Sequence, residues 1–232
     1  MLEKSRGSAG SQTLSRGIRL LEILAAAGRG MTIDELAESL GVHRSVAYRL
    51  LRTLEDHGLI ARDPSGRIAL GAGLAALASG VSRDLQQAAL PELRAAADEL
   101  GMTCLLVVRL DRDEAVTLTS AAPEHSVAVT YRPGHRHPLT RGGPGKAILL
   151  ELPQQQWPHE LHEELTRSRA RGFAVSHDEV VPSLRSVAVP LVVPGQPAAS
   201  IAAIHVSLPR PEAEIAERLT AAAEAVARTL GG

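Results

Sequence analysis

Apolar and polar residues over positions 42–54, VHRSVAYRLLRTL, recur with a helical period. At about 100° per residue, the apolar residues fall on one face of a helix and the polar residues on the opposite face. The apolar face consists of Val46, Ala47, Leu50, Leu51 and Leu54, and the polar face consists of Arg44, Ser45, Tyr48, Arg49 and Arg52. Because guanidinium groups match phosphate oxygens and the acceptor edge of guanine, and this face has no carboxylate of its own, the pattern predicts a helix that contacts DNA.

Two further helices are predicted on the N-terminal side. Residues 32–39 begin with Thr32 and carry Glu35 three positions later, which is the pattern of a capping box. Gly41 then allows a tight turn into the polar-faced helix. Residues 14–27 have apolar side chains at helical spacing and predict a longer first helix. This order indicates a helix-turn-helix.

A hairpin is predicted directly after these helices. Residues 59–62 and 67–70 are short strand-like runs, and residues 63–66, Asp-Pro-Ser-Gly, supply the turn between them. Arg62 and Arg67 stand beside the turn. Three helices followed by a basic-edged hairpin are typical of a winged helix-turn-helix, whose recognition helix enters the major groove. The competing interpretation is an ordinary helical subdomain with a solvated arginine face.

The pattern changes in the remainder of the chain. Residues 73–87 are alanine-rich with apolar side chains at helical spacing, and we interpret them as a linker helix, after which Pro91 begins another helix. Short β-branched runs separated by turn residues follow. Strands are predicted at 103–110, 115–121, 126–131, 187–193 and 200–207, and helices at 145–150, 159–171 and 211–230. This order predicts an α+β domain on a largely antiparallel sheet.

Composition and charge narrow the possible classes. The chain of 232 residues is long enough for two modest domains and has a net charge of −1. Residues 1–75 carry 10 basic and 8 acidic side chains, so a weak basic excess lies in the part predicted to bind DNA. The single cysteine, Cys104, indicates a reducing, cytoplasmic compartment. No apolar run of about 18 residues suggests a membrane span, and residues 1–13 are interpreted as a disordered leader.

Three other chemistries fit the sequence poorly. Thr140 and Ala147 stand where a phosphate loop needs a glycine and a hydroxyl, so Lys146 is expected to hold a helix or loop end instead. Two histidines lie in GHRHP, residues 134–138, but no pattern brings further ligands to them, and no metal site is predicted. No nucleophile-elbow pattern surrounds Ser207. We therefore expect neither an enzyme nor a cofactor.

Three stretches together resemble the IclR family of bacterial transcriptional regulators. The segment GVHRSVAYRLLRTLEDHGLI (41–60) is similar to the family's recognition helix. The segment HPLTRGGPGKAILL (137–150) resembles its Pro-Leu…Gly-Lys-Ala loop and helix. The segment RGFAVSHDEVVPSLRSVAVPLV (171–192) resembles its Arg-Gly-Tyr-Ala segment and the Ala-x-Pro strand that follows. The resemblance runs from about Leu14 to Leu230 and keeps the order and spacing of the three stretches.

The resemblance implies a one-component regulator with a winged helix-turn-helix over residues 14–72, a linker helix over 73–87 and a GAF-like domain over 88–232. Such a protein would bind a double-stranded DNA operator, respond to a small organic-acid or aromatic effector, and assemble as a dimer or tetramer. The DNA contacts would come from Arg44, Ser45, Tyr48, Arg49, Arg52, Arg62 and Arg67. The effector contacts, carried over position by position, would come from Gly143, Pro144, Ser176, Ser186, His205 and Ser207.

The chain departs from the family pattern at two of these effector positions. Ser186 stands where members often carry cysteine, and His205 where some carry serine. These differences bear on the chemical class of the effector. The alternative function is a DNA-binding regulator whose C-terminal domain serves only as an assembly or protein-contact module, without an effector.

Overall fold

The computed structural model describes residues 10–124, 129, 131, 133–207 and 210–231. The chain forms two compact units, divided in the sequence between Val81 and Ser82. Residues 1–9 of the predicted leader lie outside the described residues, and the first helix already begins at Gln12, earlier than expected. The side chain of Ser11 caps this helix by accepting a hydrogen bond from the amide of Leu14.

The first unit consists of three helices and a two-stranded hairpin. Its elements are α1 (Gln12–Ala27), α2 (Ile33–Leu40), α3 (Arg44–Asp56), β1 (Ile60–Arg62), β2 (Ile68–Leu70) and α4 (Gly73–Ala78). The two strands are antiparallel, and Met31 adds an isolated bridge to Ile68. One core joins these elements and contains Leu20, Leu24, Met31, Leu36, Leu50, Leu51, Ile60 and Ile68. The predicted winged helix-turn-helix is confirmed.

The turn that positions α3 forms through local hydrogen bonds. The hydroxyl of Thr32 accepts from the amide of Glu35 at 3.2 Å, and the carboxylate of Glu35 accepts from the amide of Thr32 at 2.6 Å. The backbone hydrogen bond from Thr32, followed by side-chain hydrogen bonds from Arg29 and Thr32, lowers the pKa of Glu35 to about 2. Gly41 then ends α2 with a φ of 68°, a left-handed conformation that strains a residue with a Cβ.

The second unit is built on one antiparallel sheet. Its strands are β3 (Thr103–Arg109), β4 (Glu114–Ala121), β5 (Arg136–Pro138), β6 (Ala174–His177), β7 (Arg185–Leu191) and β8 (Ala199–His205). Its α-helices are α5 (Arg83–Leu100), α6 (Gly143–Leu150), α7 (His162–Arg171) and α8 (Glu212–Thr229), and 3-10 turns lie at Gln154–Gln156 and His159–Leu161. The strand order is β5-β4-β3-β8-β7-β6, with every neighbouring pair antiparallel. The predicted α+β class is confirmed.

Apolar layers cover both faces of this sheet. On one face, α5 and α8 bury Leu93 and Leu219 against strand residues such as Val187. On the other, which we term the α6 face, α6 buries Ile148 in a cluster that includes Leu105. None of the helices in the described parts of the chain is long and apolar enough to cross a membrane.

The segment predicted as a linker helix over 73–87 is interrupted in the structure. Helix α4 ends at Ala78, and α5 begins at Arg83. Between them Ser82 has a φ of 44°, a left-handed conformation that cannot continue a right-handed helix. The alternation of leucine and alanine indicated helix correctly but carried no signal for this break.

Helix α5 also corrects the predicted role of Pro91. The sequence suggested a helix that starts at this proline, whereas the structure places it inside α5. Leu85 and Ala89 before it are as fully buried as Leu93 after it. Burial of one continuous apolar stripe therefore outweighs the backbone hydrogen bond that a proline cannot donate.

The remaining differences concern the edges of the sheet. Strands β5 and β6 were not predicted, because they are short and rich in polar or turn-type residues. The predicted strand at 126–131 lies mostly outside the described residues. Both edge strands nevertheless carry side chains that matter for the candidate site, His137 on β5 and Ser176 on β6.

Candidate DNA-binding surface and ligand cavity

Helix α3 exposes the polar face that its sequence predicts. Ala47, Leu50 and Leu51 are buried in the core of the first unit. On the opposite side, an open surface concavity is formed by Arg44, Ser45, Tyr48 and Arg49. Half of the surface of Tyr48 is exposed, which is unusual for a large apolar ring and suits contact with a partner.

Acidic side chains of α2 and of the last turn of α3 pair with two of the predicted DNA-contacting arginines. Asp34 of α2 accepts from Arg44, with the closer oxygen at 2.6 Å. The carboxylate of Glu55 accepts from Arg62 through both oxygens at 3.1 Å. Arg44 is therefore paired, and the polar face of α3 does carry one acid, Glu55, just beyond the segment 42–54 considered in the sequence.

The other arginines differ in their partners. Arg67 donates to the carbonyl of Gly30 at 3.1 Å and lies 3.8 Å from a carboxylate oxygen of Glu35. Among the described residues, no ion pair is formed by Arg49 or Arg52. These two guanidinium groups are the parts of the surface most available to phosphate or base edges.

A small cavity lies on the α6 face of the second unit. Its volume is about 20 Å³, enough for about one water molecule. It is lined by Leu105, Tyr131, His137, Gly142, Pro144, Ser176, Val180, Val181, Leu184, Arg185, Ser186 and Ile204. Three of the predicted effector-contacting residues, Pro144, Ser176 and Ser186, therefore lie around one space.

Gly143, which precedes Pro144, is hydrogen-bonded to one of the two serines. Its amide donates to the hydroxyl of Ser186 at 3.0 Å, and the hydroxyls of Ser176 and Ser186 lie 2.7 Å apart. A Cβ at Gly143 would stand 2.5 Å from the Ser186 oxygen, so only glycine permits this approach. The amide of Gly143 is thus already engaged by Ser186, whereas the sequence suggested that it would face a carboxylate.

His205 and Ser207 are not brought to this cavity. Residues paired across neighbouring strands share a face, and Ser186 pairs with Ser176 and Ile204. His205 pairs instead with Arg185, one residue along β7, and its Cβ therefore points toward the opposite face of the sheet. Ser207 lies beyond the end of β8, where its amide donates to Nδ1 of His205 at 2.9 Å.

His137 lines the cavity, although it was considered in the sequence only as a metal ligand. Its side chain is 3% exposed, and neither ring nitrogen has a hydrogen-bonding partner among the described residues. Burial is the main cause that lowers its pKa to about 4, with the charge of His135 acting in the same direction and Glu114 opposing. The sequence signal that could have identified it is its position directly before the Pro-Leu of the family's loop.

Lys146 anchors the helix beside the cavity, as expected. Its side chain is 3% exposed, and its ammonium group donates to carboxylate oxygens of Glu164 and Glu179, both at 2.6 Å. The second oxygen of Glu179 accepts from the amide of Gly142 at 2.9 Å. In the described parts of the chain, no three or more His, Cys, Asp or Glu side chains come together in a way that could hold a metal ion.

Comparison with known proteins agrees with the fold of the chain. Residues 13–64 match the model of the IclR helix-turn-helix domain. The chain is 28% identical over 200 residues to the transcriptional repressor IclR of Escherichia coli, covering 76% of this chain and 73% of that protein. A crystal structure of an IclR-type regulator from Alicyclobacillus acidocaldarius superposes with a TM-score of 0.83 at 28% identity, covering 96% of this chain and all of that one.

The chain resembles IclR-type transcriptional regulators over most of its length, and its residues 13–64 match their helix-turn-helix domain. The matching IclR-type proteins are named as regulators of transcription, which supports a DNA-binding regulator rather than an enzyme. One structural neighbour, an IclR homologue from Microbacterium hydrocarbonoxydans, was crystallised with 4-hydroxybenzoate. The two chains are 22% identical and superpose with a TM-score of 0.80, and the match covers 94% of this chain and 99% of the neighbour. The shared fold therefore includes a protein that was crystallised with a small aromatic ligand.

Proposed function

We propose that this IclR-type protein is an effector-responsive, one-component regulator. Two copies dock their α3 helices on the half-sites of a pseudo-palindromic operator, and a small molecule bound on the α6 face changes DNA affinity or geometry. The observation that carries the DNA part is the exposed polar face of α3, on which Arg49 and Arg52 lack an ion pair within the described chain. The protein would act in the cytoplasm, where its operator DNA lies.

The contribution of each arginine to DNA affinity should depend on whether it already forms an ion pair within the protein. A guanidinium without an acidic partner can turn its donors to a phosphate or to guanine without first giving up another contact. Arg44 and Arg62 must share their donors with Asp34 and Glu55. Because such exposed pairs are worth about 0–1 kcal/mol, they can be exchanged for DNA contacts, with a smaller net gain than at Arg49.

The effector part of the proposal is supported by the cavity and by the relatives. The cavity combines an apolar wall with two hydroxyls and an imidazole, a mixture typical of small-molecule sites. The neighbour that was crystallised with 4-hydroxybenzoate shares the fold. An effector can shift DNA binding only if its affinity differs between the DNA-bound and free arrangements. The alternative, a C-terminal unit for assembly alone, requires no such ligand.

The decisive test of the DNA part is the Arg49→Ala variant. An operator is first selected from a pool of random duplexes with the wild-type protein. Binding of each protein to this operator is then measured by fluorescence anisotropy. We expect the variant to bind about 1–3 kcal/mol more weakly if Arg49 makes a bidentate base contact. Arg167→Ala, which removes an exposed arginine on α7, is the matched control and should bind like wild type. Equal affinity of the Arg49 variant and wild type would contradict the assigned contact.

The effector part is tested on the same operator complex. Small organic acids and aromatic acids are added, and both the DNA affinity and the melting temperature of the full chain are followed. A ligand at a hundred times its dissociation constant should stabilise the protein by about 2.7 kcal/mol. A folded protein that shows neither response to any acid would favour the assembly-only alternative.

A further inference from the structure

The first residue of α3 is held by an acid from the preceding helix. Nη1 of Arg44 donates to both carboxylate oxygens of Asp34, at 2.7 and 2.6 Å. Each side chain is 65% exposed, and Arg44 lines the same open concavity as Tyr48 and Arg49. An acid at this surface requires a physical explanation, because a carboxylate that approaches DNA is repelled by the phosphates.

The geometry of the pair leaves one edge of the guanidinium group free. Asp34 uses only Nη1, and neither Nε nor Nη2 of Arg44 has a hydrogen-bonding partner among the described residues. These two nitrogens form a planar fork of donors, which matches the N7 and O6 acceptors of guanine. Arg44 can therefore contact a guanine while it remains paired with Asp34, and the ion pair need not be exchanged for a DNA contact.

The helices that carry the two residues fix the position of the pair. Asp34 lies in the first turn of α2, where the capping box of Thr32 and Glu35 holds the start of the helix. Arg44 is the first residue of α3, and the N-terminal residues of a recognition helix are those that contact base edges. A side chain that is held in one orientation before binding loses less conformational entropy when the complex forms. The ion pair therefore prepares Arg44 for a base contact.

We infer that Asp34 is a positioning residue for sequence recognition, which holds Arg44 so that its Nε–Nη2 edge contacts a guanine in each operator half-site. The inference rests on the proposed function, and it adds a base preference and the residue that determines it. Because the charges of the pair cancel, the pair contributes to selectivity and little to the general attraction of phosphates. Arg49 and Arg52, which form no ion pair within the described chain, supply that attraction.

Loss of Asp34 should change selectivity and general affinity in opposite directions. Without the carboxylate, Arg44 is free to turn to a phosphate, a contact that carries no sequence information. Discrimination for guanine should therefore fall, whereas affinity for random duplexes should rise. One added phosphate contact in each copy also makes the slope of log affinity against log salt steeper by about one. Damage to α2 alone would instead weaken binding to every duplex.

The experiment uses the full chain and a set of related duplexes. Wild type selects an operator from a random pool, and each base pair of this operator is then replaced in turn. Fluorescence anisotropy gives the affinity of wild type, Asp34→Ala and Arg44→Ala for every duplex and for random DNA. At one guanine in each half-site, we expect wild type to discriminate about 5- to 150-fold against the other bases. Both variants should lose most of this discrimination, and only at that position.

Three further variants connect the effect to the ion pair. The double variant Asp34→Ala/Arg44→Ala should discriminate no less than Arg44→Ala alone, because Asp34 acts through Arg44. Glu38→Ala removes the same charge from an exposed residue one turn further along α2, and it should keep the wild-type preference at every position. Asp34→Asn keeps the shape of the side chain but is a weaker acceptor, so it should lose part of the discrimination. It replaces Asp34→Ala in the test if that variant does not fold.

The outcomes separate this inference from the proposed function. Guanine discrimination by Asp34→Ala equal to that of wild type, or an equal loss at every base pair, would overturn the inference. A preference for a base other than guanine at the position that depends on Arg44 would overturn it as well. In these cases wild type still selects an operator, and the proposed DNA binding stands. Failure of wild type to select any sequence would contradict the proposed function itself, and this inference with it.

Discussion

The buried imidazole of His137, which has no hydrogen-bonding partner among the described residues, makes the stability of the free protein depend on pH. The pKa of His137 is lowered by burial from 6.5 to about 4. Below pH 6.5 the unfolded chain binds a proton at this residue more readily than the native protein does, so its contribution to stability falls as the pH falls toward 4. A shift of this size corresponds to about 3 kcal/mol at most.

We therefore expect His137→Gln to flatten the acid limb of the stability curve. Urea unfolding at several pH values between 6.5 and 4 should show that wild type loses about 2–3 kcal/mol more than the variant over this range. His159→Gln, which changes an exposed histidine before α7, should follow wild type. Parallel curves for wild type and His137→Gln would show that this imidazole does not titrate abnormally in the native protein.

The small cavity on the α6 face shows which of its lining residues the sequence brought together. Pro144, Ser176 and Ser186 were predicted from the family pattern and do line one cavity. His137 was not assigned to it, because a histidine in a turn-rich, histidine-containing segment usually indicates solvent exposure. Its burial depends on pairing of β5 with β4, a contact between distant parts of the chain.

At the scale of elements, the start of α2 determines how α3 is presented. The capping box of Thr32 and Glu35 supplies hydrogen bonds to two amides that the helix itself leaves unpaired. We expect Thr32→Ala to destabilise the first unit by about 1 kcal/mol, the usual effect of removing a side-chain N-cap. Thermal or urea unfolding followed by circular dichroism measures it.

Ser39→Ala provides the comparison for this effect. Ser39 lies in the same helix, is exposed, and donates its hydroxyl to the carbonyl of Glu35, so its replacement removes a local hydrogen bond without removing the cap. A stability change within about 0.5 kcal/mol is expected. If the two variants were equally destabilised, the cap at Thr32 would not be the feature that stabilises α2.

The segment 73–87 and helix α5 show why a local sequence pattern was insufficient to predict where each helix begins and ends. The run from residue 73 to 87 has helical periodicity throughout, yet the structure breaks it at Ser82. Pro91 is a strong local signal for a helix start, yet α5 continues through it. In α5, packing of a long apolar stripe on the sheet prevailed over the preference of a single residue.

At the scale of the whole molecule, DNA affinity should depend on salt through the arginines of each copy in the proposed two-copy complex. Each phosphate contact releases counterions, so its removal lowers the slope of log affinity against log salt. We expect Arg52→Ala to weaken binding to all duplexes about equally and to lower that slope by about one for each bound copy. Anisotropy titrations at several salt concentrations, on operator and random DNA, give both quantities.

Arg228→Ala is the control for net charge in this experiment. This exposed arginine lies on α8 of the second unit, near Glu224, and its loss changes the total charge by the same amount. Its salt slope should match that of wild type. A weakening by Arg52→Ala that is confined to the operator sequence would instead assign Arg52 to base recognition.

The sequence by itself determined the class of both units and the polar face of α3. These features depend on periodicity, capping and turn residues, which act over a few positions and are visible in the chain. Only the tertiary structure decided which side chains meet: Asp34 with Arg44, Lys146 with Glu164 and Glu179, and His137 with the serines. It also directed His205 to the opposite face from Ser186, because a one-residue difference in strand register reverses the direction of a side chain. Contacts of this kind depend on how distant strands and helices pair, and no local pattern encodes that pairing.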